Sequence, residues 1–154
     1  MSPSLALPDL AGRTILVTGA NAGIGYWCAE ILAGHGARVL LGCRSTERAE
    51  VAASSIRAHA PGADLGIVPI DLGSLVSTTA AAASVGERID AVICNAGVKA
   101  ADRGARTADG LDLMVGTNFV GHFALIARLG DVLADDARVC LLYTSDAADD
   151  TPCV

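Results

Sequence analysis

Residues 13–37 read RTILVTGANAGIGYWCAEILAGHGA. The first part, RTILVTG (13–19), is a compact β run that ends in glycine. The second, GIGYWCAEILAGHGA (23–37), has helical spacing and reaches Gly34 and Gly36, either of which can close a helix. The turn between them, TGANAGIG (18–25), holds three glycines spaced G-x-x-x-G-x-G. At a strand-to-helix turn, glycines let the backbone bend sharply and approach a pyrophosphate, which meets the open N–H groups of the helix start. The spacing differs from the G-x-G-x-x-G of the usual dinucleotide turn, and a glycine turn selected for packing has the same composition.

The rest of the chain repeats the strand-then-helix pattern. ARVLLGC (37–43) reads as a second strand and STERAEVAASSIRAHAPG (45–62) as a helix capped by Ser45 or Thr46. DLGIVPID (64–71) is a third strand, assigned to the sheet edge because Pro69 donates no ladder hydrogen bond. A helix capped by Ser74 follows over 73–87, then a strand over 89–97 and a polar surface loop over 98–109. A long helix over 110–133, weakened by Gly116 and Gly121, leads to a fifth strand over 137–142. Nearly continuous apolar strands joined by long crossovers predict an α/β fold, a doubly wound parallel sheet of about five strands.

Bulk properties agree. The chain has 154 residues, enough for one ordinary domain. Hydrophobic residues make up 52% and aromatic residues only 3%, so the core must be built from Ala, Val, Leu and Ile. The net charge of −6, with no basic cluster, argues against nucleic acid as a partner. Cysteines stand at 28, 43, 94, 140 and 153 without a C-x-x-C pair or metal-ligand spacing to a histidine. Cys28, Cys43 and Cys94 lie among apolar neighbours and read as buried small hydrophobes in a reducing cytoplasm. MSPSLALPDLAGR has no leader pattern, and no apolar run is long enough to predict a membrane span.

Further chemistry falls at strand ends, where a parallel sheet opens its ligand crevice. The second strand ends in Cys43-Arg44-Ser45, about 20 residues after the glycine turn, where a carboxylate would hold the 2′-hydroxyl of NAD. Arg44 offers a guanidinium to a 2′-phosphate instead, favouring NADP; a solvated strand-end arginine is the alternative. The third strand runs into Asp71-Leu72 and the fourth into Asn95-Ala96-Gly97.

With TGANAGIG (18–25), IDL (70–72), NAG (95–97) and Asn118 in GTNFVGHF (116–123), the chain resembles the classical short-chain dehydrogenase/reductase family. GCRSTERAE, NAGV and TADGLDLMVGTNFVGHF are most similar to its NADP-using, retinol-dehydrogenase-like branch, and also to light-dependent protochlorophyllide reductases. The resemblance covers roughly residues 9–139. It implies that Gly19, Asn21, Gly23, Ile24 and Gly25 surround the pyrophosphate and adjacent ribose. Arg44, with Ser45, would meet the 2′-phosphate, and Asp71 and Leu72 would flank the adenine. Asn95, Ala96 and Gly97 would line the crevice near the nicotinamide-side ribose. Asn118 matches the Asn that helps hold a water in the family's proton relay. The histidines, His35, His59 and His122, are expected to take no part in acid–base catalysis.

The resemblance also implies hydride transfer between NADP(H) and a small carbonyl or alcohol substrate, usually in a homo-oligomer. A Tyr would move the hydroxyl proton, a Lys four residues later would lower the Tyr pKa, and a Ser would orient the substrate oxygen. That group is missing here. Four residues after Tyr26 and Tyr143 stand Glu30 and Ala147, and the sole lysine is Lys99. Ser145 falls near the expected serine, but its surroundings no longer match. Cys140–Asp149 can be encoded as TGT CTC TTA TAC ACA TCT GAC GCT GCC GAC, which resembles a transposase-type sequencing adapter read in frame. Residues 1–139 are therefore expected to be the N-terminal part of a dinucleotide-binding domain and 140–154 a non-native tail, a divergent natural terminus being the alternative. The chain alone is expected to lack turnover. A non-catalytic NADP-binding or redox-sensing module is the rival reading.

Overall fold

The computed structural model describes residues 8–99, 102 and 104–142. Five strands form one sheet: β1 (Thr14–Thr18), β2 (Arg38–Cys43), β3 (Leu65–Pro69), β4 (Ile89–Cys94) and β5 (Leu133–Leu141). Their order is β3-β2-β1-β4-β5, and every pairing is parallel. The helices are α1 (Gly23–Gly34), α2 (Thr46–His59), α3 (Leu75–Ser84) and α4 (Gly121–Arg128). The expected doubly wound sheet is present, and β3 with its terminal Pro69 lies at one edge.

Strand alternation divides the core in two. Ile15, Val17, Val39 and Leu41 face α1 and α2, where Ala29, Ala33, Ala49, Ala53 and Ile56 meet them. Leu16, Leu40, Val68 and Val92 face the opposite layer, with Ala81, Ala82, Leu125 and Leu129. Alanine on the helices lets them lie close to the sheet, which is how a chain so poor in aromatic residues fills its interior.

Both predicted serine caps form. Ser45 accepts the Arg48 N–H at 3.2 Å, and Ser74 accepts the Ser77 N–H at 3.3 Å. Three other expectations need correction. The polar loop is not wholly a surface excursion: Thr107 is buried, and Ala108 N–H donates to Gly73 O at 3.0 Å. The long helix does not begin at 110. Gly110, at φ +78°, closes a turn in which Thr107 N–H reaches Leu111 O at 2.9 Å. Asp112 then caps the helical segment, its Oδ1 accepting from Met114 N at 3.0 Å and Val115 N at 3.1 Å. That segment is a π-helix over Val115–Val120 before it becomes α4. Finally, β5 starts at Leu133 rather than 137, with a register shift against β4 between Ile89 and Ala91. Cys28 is half-buried, whereas Cys43 and Cys94 are buried as expected.

The other edge is β5, whose Val139 and Leu141 are exposed. Val115, Phe119 and Phe123, four residues apart, also lie exposed along the π-helix and α4. No helix among the described residues is long and apolar enough to cross a membrane.

Charges gather at the amino ends of the strands. Arg38 grips Glu87 with two bonds, Nε–Oε2 at 2.6 Å and Nη2–Oε1 at 2.9 Å, and also pairs with Asp64. Asp90 accepts from Thr14 N–H at 2.8 Å and from Arg13 at 2.7 Å. Hydrogen bonding from Arg38 lowers the Glu87 pKa, and the Thr14 amide followed by Arg13 lowers that of Asp90. Depressed carboxylate pKa values stabilise the fold above the ordinary values of 4.5 and 3.8. That stability is lost as pH falls through the lower folded values. Urea denaturation of the chain should therefore show a falling unfolding free energy as pH drops below about 4.5. Glu87→Gln should be less stable at pH 7 and show a shallower acid slope.

Candidate functional site

β1 occupies the centre of the sheet, with β2 on one side and β4 on the other. The chain therefore leaves β1 at the point where the winding reverses, and a crevice opens there. Thr18, the last residue of β1, is fully buried. Its Oγ1 accepts the N–H groups of Asn95 and Ala96, each at 3.0 Å. In return, Asn95 Nδ2 donates to Thr18 O at 2.9 Å and lies 3.4 Å from Gly19 O. The glycine turn and the Asn95-Ala96-Gly97 turn are thus locked together.

Two of the three turn glycines, Gly19 and Gly25, explain themselves by contact. Gly19 has φ +68°, and an added Cβ would stand 3.0 Å from Ala96 Cα. A Cβ at Gly25 would strike Asn95 Nδ2 and stand 2.5 Å from Gly19 O. The helix that follows is open at its start. The N-cap of α1 is Ala22, which supplies no side-chain acceptor, and its first turn holds no acidic residue. By contrast, α2 and α3 are closed by serine. A 12-residue helix with unserved amides beside a glycine cradle fits a phosphate group.

The other predicted residues also follow strand ends. Arg44 is exposed just beyond β2 and makes no ion pair among the described residues. Ser45 is occupied: besides capping α2, its hydroxyl donates to Glu47 Oε2 at 2.8 Å. Asp71 is half-buried and its Oδ1 accepts from Gly73 N at 2.9 Å. Leu72 is buried in the core with α3 and α4. Asn21 is half-buried, whereas Gly23, Ile24 and Gly97 are exposed.

Asn118 lies in the π-helix and clasps Val98, directly after Gly97. Its Oδ1 accepts Val98 N–H at 2.8 Å, and its Nδ2 donates to Val98 O at 3.0 Å. π-Turns of this kind are frequent at functional sites.

Sequence reasoning missed three contributors. Thr18 is the joint described above, signalled only by its place before Gly19. Arg48, one turn beyond Arg44, lines a cavity of about 240 Å³ with Asn21, Glu47 and Val51. Gly121 is no helix weakener but a contact point, since a Cβ there would collide with Leu72 O.

The sequence profile described as short chain dehydrogenase matches residues 13–140. The chain belongs to that family. It is 43% identical over 138 residues to the short-chain dehydrogenase/reductase drtF of Aspergillus calidoustus, covering 86% of this chain and 44% of that protein. It is 37% identical over 142 residues to human retinol dehydrogenase 13, covering 90% of this chain and 43% of the relative. The chain thus spans less than half the length of these relatives. Among solved structures, an uncharacterized protein of Mycobacterium paratuberculosis aligns with a TM-score of 0.75 at 38% identity, over 83% of this chain and 45% of the other. The Pseudomonas aeruginosa RhlG/NADP active-site complex aligns with a TM-score of 0.73 at 31% identity, over 86% of this chain and 55% of the other.

Gly25→Ala should lower stability by about 1–3 kcal/mol through overpacking against Asn95. Thermal unfolding measures this loss, and nucleotide affinity should fall with it.

Proposed function

We propose that this chain is the cofactor-binding part of an NADP-dependent oxidoreductase that moves a hydride between NADP(H) and a small carbonyl or alcohol substrate. The observation that carries the reading is the locked pair of turns at the reversal of the sheet, beside the uncapped start of α1. Gly19, Asn21, Gly23, Ile24 and Gly25 would hold the pyrophosphate and its neighbouring ribose. Arg44 would hold the 2′-phosphate, joined by Arg48, which lines a hollow with Asn21. Ser45 is the weaker partner, because its hydroxyl already serves Glu47. Asp71 and the backbone of Leu72 would border the adenine. Asn95, Ala96 and Gly97 would border the nicotinamide-side ribose. Asn118 would present the proton-relay position, and the bound cofactor would supply the hydride.

The same chain lacks the proton donor. Tyr26 hydrogen-bonds Glu30 at 2.7 Å and Ser55 at 2.8 Å, and the Glu30 carboxylate raises its pKa. A catalytic phenol needs the opposite shift. Tyr143 and Ser145 lie outside the described residues. We therefore propose residues 1–139 as the domain's N-terminal part, residues from 140 as a non-native tail, and no turnover by this chain alone. A cytoplasmic setting suits the free thiols of Cys43 and Cys94. The exposed Val115, Phe119 and Phe123 suit a homo-oligomeric parent. The missing Tyr–Lys pair is the observation that favours the rival, a non-catalytic NADP-binding or redox-sensing module.

Titration followed by fluorescence of Trp27, the single tryptophan, tests the cofactor assignment. NADP should bind more tightly than NAD. Arg44→Ala should cost roughly 10–100-fold in NADP affinity and leave NAD nearly unchanged. Tighter binding of NAD overturns the assignment. The genomic sequence across codons 138–154 separates the two readings: a frame continuing to a Tyr-x-x-x-Lys supports the enzyme, and a natural stop near 154 supports the module.

A further inference from the structure

We infer that His122 is a positioning residue which, as a neutral imidazole carrying its proton on Nδ1, ties the backbone carbonyl of Asn118 to the Thr18 hydroxyl and so to the glycine turn. The inference rests on the proposed cofactor site and goes beyond its residue assignments.

His122 is 2% exposed, and both ring nitrogens are engaged. Nε2 lies 2.9 Å from Thr18 Oγ1, and Nδ1 lies 3.0 Å from Asn118 O. Counting donors and acceptors fixes the tautomer. A threonine hydroxyl has one proton and two lone pairs. The N–H groups of Asn95 and Ala96 take both lone pairs of Thr18 Oγ1. The hydroxyl proton then has two places to go, Ile93 O at 3.4 Å or His122 Nε2 at 2.9 Å. A proton on Nε2 would face Thr18 with a third donor, so Nε2 must be bare. The ring proton then sits on Nδ1, aimed at the Asn118 carbonyl, which can only accept. Two independent requirements give one answer. Burial lowers the His122 pKa, which keeps the ring neutral at pH 7.

The connection closes a circuit. Thr18 holds Asn95 and Ala96, the chain continues to Val98, Asn118 clasps Val98, and His122 returns from Asn118 to Thr18. Gly121 makes this possible, because its lack of a side chain lets the helix settle on Leu72 O. The turn proposed to hold the pyrophosphate and the residue proposed for the proton relay are thereby set in one fixed relation. His122 does this from a buried position behind the two turns.

Two-dimensional NMR of the chain with 15N-labelled histidine tests the inference. At pH 7, His122 should show a protonated Nδ1 and an unprotonated Nε2. Thr18→Val should shift the Nε2 resonance, and Thr18→Ser, which keeps the hydroxyl, should leave it in place. His122→Phe and Thr18→Val should each weaken NADPH binding by roughly tenfold. Thr18→Ser should bind as the wild type does. An imidazolium, the opposite tautomer, or an Nε2 signal indifferent to Thr18→Val overturns the inference, as does unchanged NADPH affinity in Thr18→Val. If His122→Phe fails to fold, the two threonine variants still decide. A wild-type chain that binds no NADPH overturns the cofactor reading, and the NMR result then judges the histidine link by itself.

Discussion

At the carboxyl edge of the sheet, the turns that follow β1 and β4 depend on one hydroxyl. β1 and β4 run side by side until Thr18, where their chains part into separate turns. Backbone groups lose their ladder partners at such a parting, and unpaired groups that are buried are costly. Thr18 Oγ1 replaces the ladder by taking the two amides of Asn95 and Ala96, while Asn95 serves the carbonyls of the glycine turn. The crevice therefore has a hydrogen-bonded floor that forms without a ligand. Preorganisation of this kind spares a ligand the cost of ordering its own site.

That floor constrains its neighbours in turn. Asn95 can reach Thr18 O and Gly19 O only if nothing projects from Gly25. The π-helix around Asn118 reaches Val98 while α4 packs directly on the backbone of Leu72, an approach that Gly121 permits. Two glycines far apart in sequence thus do the same work: each removes a Cβ so that a polar group can close a short bond. The arrangement tolerates little adjustment, because the interior around it is closely packed.

Much of this was legible in the sequence. Apolar runs ending in TG, CR, ID and NAG located four strand ends, and Ser45 and Ser74 marked two helix starts through their side-chain chemistry. What stayed hidden involved contact rather than pattern. Gly121 reads as a helix defect in one dimension and becomes a docking point in three. Asp112 sits inside an apolar-periodic stretch, so its cap was concealed by the helix it begins. The early start of β5 at Leu133 lies in LADDA, whose two aspartates mask a strand that gains an irregular pairing with Ile89. His122 looked mundane as an acid or base, and that remains its reading; its position four residues after Asn118 was the sign of another role.

The two ends of the strands are built on opposite principles. At the amino ends, Arg38 with Glu87 and Asp64, and Arg13 with Asp90, satisfy their charges within the protein. At the carboxyl ends, the charged side chain of Arg44 is exposed, and the first amides of α1 have no side-chain cap. A charge satisfied internally contributes to holding strands together, whereas an unserved donor contributes to binding an anion. Separating them along the strand axis lets each be altered with limited effect on the other, since sites without shared partners act nearly additively. Thr18 and Asn95 stand at the boundary. Thr18 is fully buried and Asn95 half-buried, so both are part of the fold and lie directly beneath the two turns that border the crevice.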